Sequence, residues 1–76
     1  MAMDLQLSKR IRQLREARQW TQTDLAHVVG VSASAVNRWE SGDKRPELPK
    51  VIRMSDLFGV SVDYLLGRTD ERPAEE

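Results

Sequence analysis

Apolar residues recur along this chain at the spacing of amphipathic helices. Leu7, Ile11 and Leu14 are four and three residues apart, which places them on one side of a helix over about residues 5–18. Four shorter segments follow with similar spacing, and each ends at a glycine. No run alternates as a half-buried strand does. The pattern therefore predicts an all-α domain of five short helices, whose later helices bury Leu25, Ala26, Val29, Val36, Trp39, Val51, Met54, Ser55, Phe58, Val62, Leu65 and Leu66.

Polar residues mark where these helices begin. Thr21 is a good N-cap, and Asp24 three residues later makes an acidic version of the capping box. Ser32 and Ser61 are N-caps of the third and fifth helices, while Pro49 suits the first turn of a fourth helix over about Leu48 to Phe58. The second and third helices are thus separated by a very short link that contains a glycine.

Two helices joined so closely form a helix-turn-helix, in which the second helix projects from the body. Such a helix fits the major groove of B-DNA, which is about 12 Å wide. Ala33, Ser34 and Asn37 share the face that the inward-facing Val36 and Trp39 do not use. Their small size lets the helix backbone approach base edges, so we expect this face to be exposed.

The composition of the chain excludes several kinds of site and several classes of protein. At 76 residues the chain has room for one domain, and it contains no cysteine and a single histidine, His27. Disulfides and thiolate–metal sites are therefore excluded. No apolar run approaches the roughly 20 residues that span a bilayer, and the N-terminus lacks the apolar segment of a signal peptide. We therefore expect a cytoplasmic protein.

Charge is unevenly distributed although the net charge is zero. Residues 70–76 carry a net charge of −3, so residues 1–69 carry +3. Cations cluster in the first helix, and two more, Lys44 and Arg45, follow the third. Such a cluster, taken alone, favours a solvated helix face, with a surface for a polyanion as the alternative. The first-helix cations are Lys9, Arg10, Arg12, Arg15 and Arg18.

Several stretches, taken in order, resemble the lambda-repressor-like helix-turn-helix family, which includes Cro, the phage repressors and many small bacterial regulators. The resemblance covers about residues 7–67. It rests on "IRQLREARQWTQTDLA", on "VGVSASAVNRWESG", on the proline after the next loop, and on "FGVSVDYLLG". It implies a DNA-binding domain over residues 5–67, followed by an acidic, flexible tail over residues 68–76.

The resemblance also implies roles at the DNA. Three residues of the third helix, Ala33, Ser34 and Asn37, match base-reading positions. Asparagine can bond adenine N6 and N7, and an alanine can touch a thymine methyl group. The positions that match phosphate contacts are Gln22, Ser32, Arg38, Lys44 and Arg45, although plain solvation remains an alternative for Gln22 and for the two loop cations.

Two further implications concern structure. Arg15 and Glu40 match an arginine and a glutamate that pair in many family members. Family members bind DNA as symmetric dimers, and Tyr64 and Val60 are candidate interface residues here, with burial in the monomer core as the alternative. We expect no cofactor, no metal, no small-molecule ligand and no enzymatic activity.

The function implied is a dimeric, sequence-specific transcriptional regulator, with repression favoured, that occupies a palindromic operator on double-stranded DNA. The alternative is an antitoxin or controller-type module whose main partner is another protein, such as a toxin or an anti-repressor. The acidic tail is the feature that favours this alternative.

Overall fold

The computed structural model describes the backbone of residues 2–72 and the side chains of residues 6–72. It confirms the predicted all-α fold, and no strand occurs within this range. The first helix begins three residues earlier than predicted, because its backbone is already helical before Leu7, the first buried position among the described side chains. The five helices are α1 (Ala2–Ala17), α2 (Gln22–Val29), α3 (Ala33–Ser41), α4 (Leu48–Phe58) and α5 (Val62–Leu66).

Side-chain caps set the starts of three helices. At α2 the Thr21 hydroxyl accepts from the Asp24 N–H at 3.1 Å, and the Asp24 carboxylate accepts from the Thr21 N–H at 2.8 Å. Ser32 and Ser61 accept from the third residue beyond them in the same way. Helix α4 lacks a side-chain cap and begins instead with Pro49 in its first turn.

One core joins all five helices. Ile11, Leu25, Val36, Met54 and Leu65 are its largest fully buried side chains, one from each helix. Helix α3 packs against α1 and α2, and α5 packs against α1 and α4. All the inward positions predicted in α2, α3 and α4 are buried, whereas Val62 and Leu66 of α5 are only half-buried at the edge of the core.

The segment after α5 folds back onto the body as far as Arg72. The Arg10 guanidinium donates to the carbonyl oxygens of Tyr64 and Thr69 and to the Asp70 carboxylate, the last two at 2.7 Å. The Ser61 N–H donates to the Arg72 carbonyl at 3.2 Å. Residues 68–72, which were predicted to begin a flexible tail, are therefore bonded to the body. The other residues of the predicted tail, 73–76, lie outside the described part of the chain.

No helix in the described part of the chain has the length and apolar character needed to cross a membrane.

Candidate nucleic-acid interface

The link between α2 and α3 is a tight turn over residues 30–32. Gly30 has φ +86°, a left-handed conformation that a residue with a side chain rarely adopts. This conformation brings the N–H groups of Gly30 and Val31 to the Ala26 carbonyl, at 2.8 and 2.9 Å. Ser32 then caps α3 through a 3.1 Å bond from the Ala35 N–H. The turn thus fixes where α3 leaves the body.

Helix α3 has one buried and one exposed face. Val36 and Trp39 are 0% and 4% exposed and lie in the core. Ser34, Asn37 and Arg38 are exposed, as predicted for the face that would meet DNA. Ala33 is half-buried against the core, so only part of its methyl group could reach a base. The outer surface of α3 is therefore polar, with small side chains in its first turn.

Arg15 and Glu40 join α1 to α3. The Arg15 Nε and Nη2 atoms donate to Glu40 Oε2 and Oε1 at 2.7 and 3.0 Å, a bidentate geometry. Their side chains are only 10% and 4% exposed. The pKa of Arg15 is raised, first by the hydrogen bond to Glu40 and further by the charges of Glu40 and Glu16, although burial opposes the shift. The pair predicted from the resemblance is thus present.

Glu40 also connects the interior to the surface of α3. Its Oε1 accepts from Gln22 Nε2 at 3.1 Å, and Gln22 Oε1 accepts from Asn37 Nδ2 at 3.3 Å. The predicted phosphate-binding and base-reading side chains, Gln22 and Asn37, are therefore in direct contact. The sequence could not show this contact, because it depends on how α2 and α3 cross.

The loop after α3 carries exposed cations beside the exposed face of α3. Both Asp43 and Lys44 donate their N–H groups to the Arg38 carbonyl, at 3.0 and 3.2 Å, so the loop turns over the end of α3. The side chains of Lys44 and Arg45 are exposed. Together with Arg38 they place three cations near the C-terminal end of α3, with Asp43 as a nearby acid.

Two of the five cations in and just after α1 are buried in the protein. Arg10 and Arg15 are buried, and Arg12 pairs with Glu16 at 3.2 Å. The guanidinium of Arg18 lies 5.4 Å from the ring centroids of both Trp20 and Phe58. For the buried Arg10 and Arg15 neither a solvated face nor a polyanion surface is an adequate description, whereas Arg12 and Arg18 remain exposed. The charge pattern of the sequence gave no sign of these contacts.

The residues predicted at a dimer interface are less accessible than expected. Val60 is 3% exposed and belongs to the core, as do Phe58 and Leu65, so Val60 cannot supply an interface without unfolding its surroundings. Tyr64 is half-buried, with the guanidinium groups of Arg10 and Arg72 at 4.1 and 5.6 Å from its ring centroid. The large apolar side chains that are exposed in the described chain are Val28, Leu48 and Ile52.

Among the described residues, no three His, Cys, Asp or Glu side chains are grouped so that they could hold a metal ion. The ordered polar groups around α3 are instead amides, hydroxyls and cations. These can donate to phosphate oxygens and to base edges.

A family model described as helix-turn-helix matches residues 11–65, which include α2, the turn and α3. The chain belongs to this Cro/C1-type helix-turn-helix family. Among its relatives, the uncharacterized HTH-type transcriptional regulator YobD of Bacillus subtilis is 41% identical over 63 residues, which are 83% of this chain and 56% of YobD. The cryptic phage CTXphi transcriptional repressor RstR of Vibrio cholerae is 30% identical over 69 residues, 88% of this chain and 62% of RstR.

A solved structure shows the same fold bound to DNA. The P22 c2 repressor protein, crystallised in complex with a synthetic operator, superposes with a TM-score of 0.74 at 33% sequence identity, covering 79% of this chain and 91% of that one. This helix-turn-helix chain spans between about half and two thirds of the length of the curated relatives named above.

Proposed function

We propose that this chain is a sequence-specific DNA-binding domain of a transcriptional regulator, and that it represses by occupying an operator. The observation that carries the proposal is the exposed polar face of α3, which holds Ser34 and Asn37 beyond a fixed turn. The likeness to a repressor described in complex with its operator supports it, as do relatives described as transcriptional regulators.

The side chains divide into two groups at the DNA. Asn37, Ser34 and the exposed part of Ala33 face the base edges in the major groove. The second group binds phosphates on either side of the major groove. Its cations add an attraction that depends on salt and not on DNA sequence. The members of this second group are Gln22 at the first turn of α2, Ser32, Arg38, Lys44 and Arg45.

Selection from randomised duplex DNA tests the proposal. The wild-type chain should enrich one site, and Asn37→Ala should weaken binding to that site by about tenfold while changing binding to unrelated DNA little. Gln22→Ala should weaken both, because it removes a contact to a phosphate that every DNA sequence presents. Gln13→Ala, at an exposed position of α1, is the control. Failure of the wild type to enrich any sequence would overturn the proposal.

The chain acts as a dimer on a palindromic site, because one α3 spans only a few base pairs and two-fold symmetry doubles the sequence read. The apolar surface that supports a dimer is at the start of α4. There Leu48 is 60% exposed and lines, with Pro46 and Leu66, a groove of about 420 Å³. Tyr64, whose ring lies beside the guanidinium groups of Arg10 and Arg72, is a second candidate for the interface.

Sedimentation equilibrium checks the dimer. A charge at Leu48 would have to be buried in the interface, so Leu48→Glu should shift the chain toward monomer and reduce the apparent cooperativity of operator binding. Val28→Glu places the same charge on an exposed apolar position of α2 and should leave assembly unchanged. If both variants remained dimeric, the interface would have to lie elsewhere on the domain.

The alternative function, a module that chiefly binds another protein, rests on the acidic tail. Residues 68–72 of that tail are bonded to the chain's own body, although the Asp70 side chain is 97% exposed. A pull-down that yields a stoichiometric protein partner would favour this alternative.

A further inference from the structure

The hydrogen bonds that link Arg15 to Asn37 are all directed toward Glu40, from Arg15 on one side and from Asn37 through Gln22 on the other. A carboxylate can accept hydrogen bonds but cannot donate them. Glu40 accepts from Arg15 and also from Gln22 Nε2, at 3.1 Å for the latter. Gln22 must therefore turn its amino group toward Glu40, which leaves its carbonyl oxygen toward Asn37. Asn37 in turn must offer its amino group, and the Nδ2 to Oε1 distance is 3.3 Å.

We propose that Glu40 is a positioning residue for base recognition, which acts through Gln22 to fix the orientation of the Asn37 amide. The inference rests on the proposed function, since it specifies how Asn37 reads DNA. With one Nδ2 hydrogen committed to Gln22, Asn37 presents its Oδ1 and its second Nδ2 hydrogen outward. The protein thus offers the groove one acceptor beside one donor, in a fixed order.

This arrangement matches adenine and not guanine. Adenine presents the N6 donor beside the N7 acceptor, so Asn37 Oδ1 accepts from N6 and its remaining N–H donates to N7. Guanine presents two acceptors, O6 and N7, and Asn37 Oδ1 would face O6. An unrestrained asparagine could rotate its amide and give both hydrogens to guanine. Holding the amide in place removes that option and so adds discrimination.

The fixed end of this series of bonds lies inside the protein. The Glu40 side chain is 4% exposed and is held by the buried Arg15, whereas Gln22 is half-buried and Asn37 exposed. Helices α1, α2 and α3 each contribute to the series. The amide is therefore oriented when the domain folds, before any DNA is present, which reduces the ordering cost of binding.

The decisive variant is Gln22→Met, which keeps the length of the side chain, removes both hydrogen bonds and leaves the Arg15–Glu40 pair intact. Sites are first selected from randomised duplexes with the wild type and with Asn37→Ala. The position whose preference disappears in Asn37→Ala is the one that Asn37 reads. Competition binding at that position then compares A·T with G·C for each variant, and Gln13→Met at an exposed site of α1 controls for an added methionine.

For the wild type and for Gln13→Met we expect adenine to be preferred over guanine by about tenfold or more. In Gln22→Met the overall affinity falls through the lost phosphate contact, and the adenine-to-guanine ratio should fall to about threefold or less. Glu40→Gln, assayed at a temperature where it is folded, should lower the ratio too, because an amide at position 40 accepts either orientation of Gln22.

The outcomes separate this inference from the proposed function. A wild type that enriches no sequence contradicts the function itself. An enriched site whose adenine-to-guanine ratio is unchanged in Gln22→Met supports the function and overturns the role of the bonded series. A ratio that falls in Gln22→Met but not in folded Glu40→Gln overturns the role of Glu40.

Discussion

At the scale of single residues, Gln19 has a backbone conformation that a residue with a side chain rarely adopts. It follows the end of α1 with φ +60°, a left-handed conformation, and within residues 2–72 every other residue with positive φ is a glycine. Its N–H donates to the Glu16 carbonyl at 2.9 Å and the Trp20 N–H to the Arg15 carbonyl at 3.2 Å. These are the two bonds of a Schellman motif, in which glycine is the usual residue at this position.

Gln19→Gly should therefore stabilise the domain. Removing the side chain relieves the left-handed strain, and although the unfolded chain gains entropy, we expect a net gain of about 0.5–1 kcal/mol. In a domain of this size the melting temperature should rise by roughly 3–6 °C. Gln13→Gly, in the exposed middle of α1, is the matched control and should lose about 1 kcal/mol. Thermal unfolding by circular dichroism measures both, and destabilisation by both substitutions would refute the strain at Gln19.

The roles of individual side chains were predictable to different degrees. The exposure of Ser34 and Asn37 followed from helical spacing, because it depends only on which face Val36 and Trp39 occupy. The contact of Asn37 with Gln22 was not predictable, since it joins residues 15 apart across a helix crossing. Val60 was misplaced for a related reason: an apolar residue at a helix link suits a core or an interface equally, and only the packing decides.

At the scale of helices, the sequence carried most of the information. The helical spacing of apolar residues and the capping residues predicted α2, α3, α4 and α5. Both signals depend on residues that are only a few positions apart in the sequence. What the period could not show is how α1 is held to its neighbours. The Arg15–Glu40 pair joins α1 to α3, and Arg18 donates to the Leu57 carbonyl at 3.1 Å near the end of α4.

Breaking the pair between α1 and α3 should destabilise the whole domain. Glu40→Gln removes the buried carboxylate that pairs with the Arg15 guanidinium, and we expect a loss of about 3 kcal/mol, or a melting temperature lower by more than 10 °C. Glu16→Gln is the matched control. It removes a carboxylate 3.7 Å from Arg15 whose side chain is 54% exposed, and should have little effect. An unchanged melting temperature in Glu40→Gln would show that the buried pair does not hold the helices together.

At the scale of the whole molecule, the charges are arranged differently from their order in the sequence. The basic stretch of α1 looked like a continuous surface, yet Arg10 and Arg15 point into the body and bind groups there. The exposed cations that remain at α3 are Arg38 and the two in the loop after it, Lys44 and Arg45. A net charge of zero is therefore compatible with DNA binding, because the described part of the acidic segment is bonded to Arg10 and Ser61, neither of which lies in α2 or α3.

Arg10 binds the segment after α5 to the body, and its replacement should detach this segment and destabilise the domain. Arg10→Met keeps the aliphatic stem but removes the bonds to the Tyr64 and Thr69 carbonyls and to Asp70. We expect a loss of about 2 kcal/mol, or roughly 10 °C in melting temperature. The Ser61 N–H, which donates to the Arg72 carbonyl, should also exchange with solvent faster once residues 68–72 detach.

Two matched variants identify which bonds matter. Asp70→Asn removes only the charge of a side chain that is 97% exposed and should leave stability nearly unchanged, since exposed ion pairs contribute little. Lys9→Met, at the exposed neighbouring position, controls for the lost cation. If Asp70→Asn destabilised as much as Arg10→Met, the ion pair would be the essential contact. A large effect of Arg10→Met alone means that the two backbone carbonyls hold this segment, a role that no count of charges in the sequence can reveal.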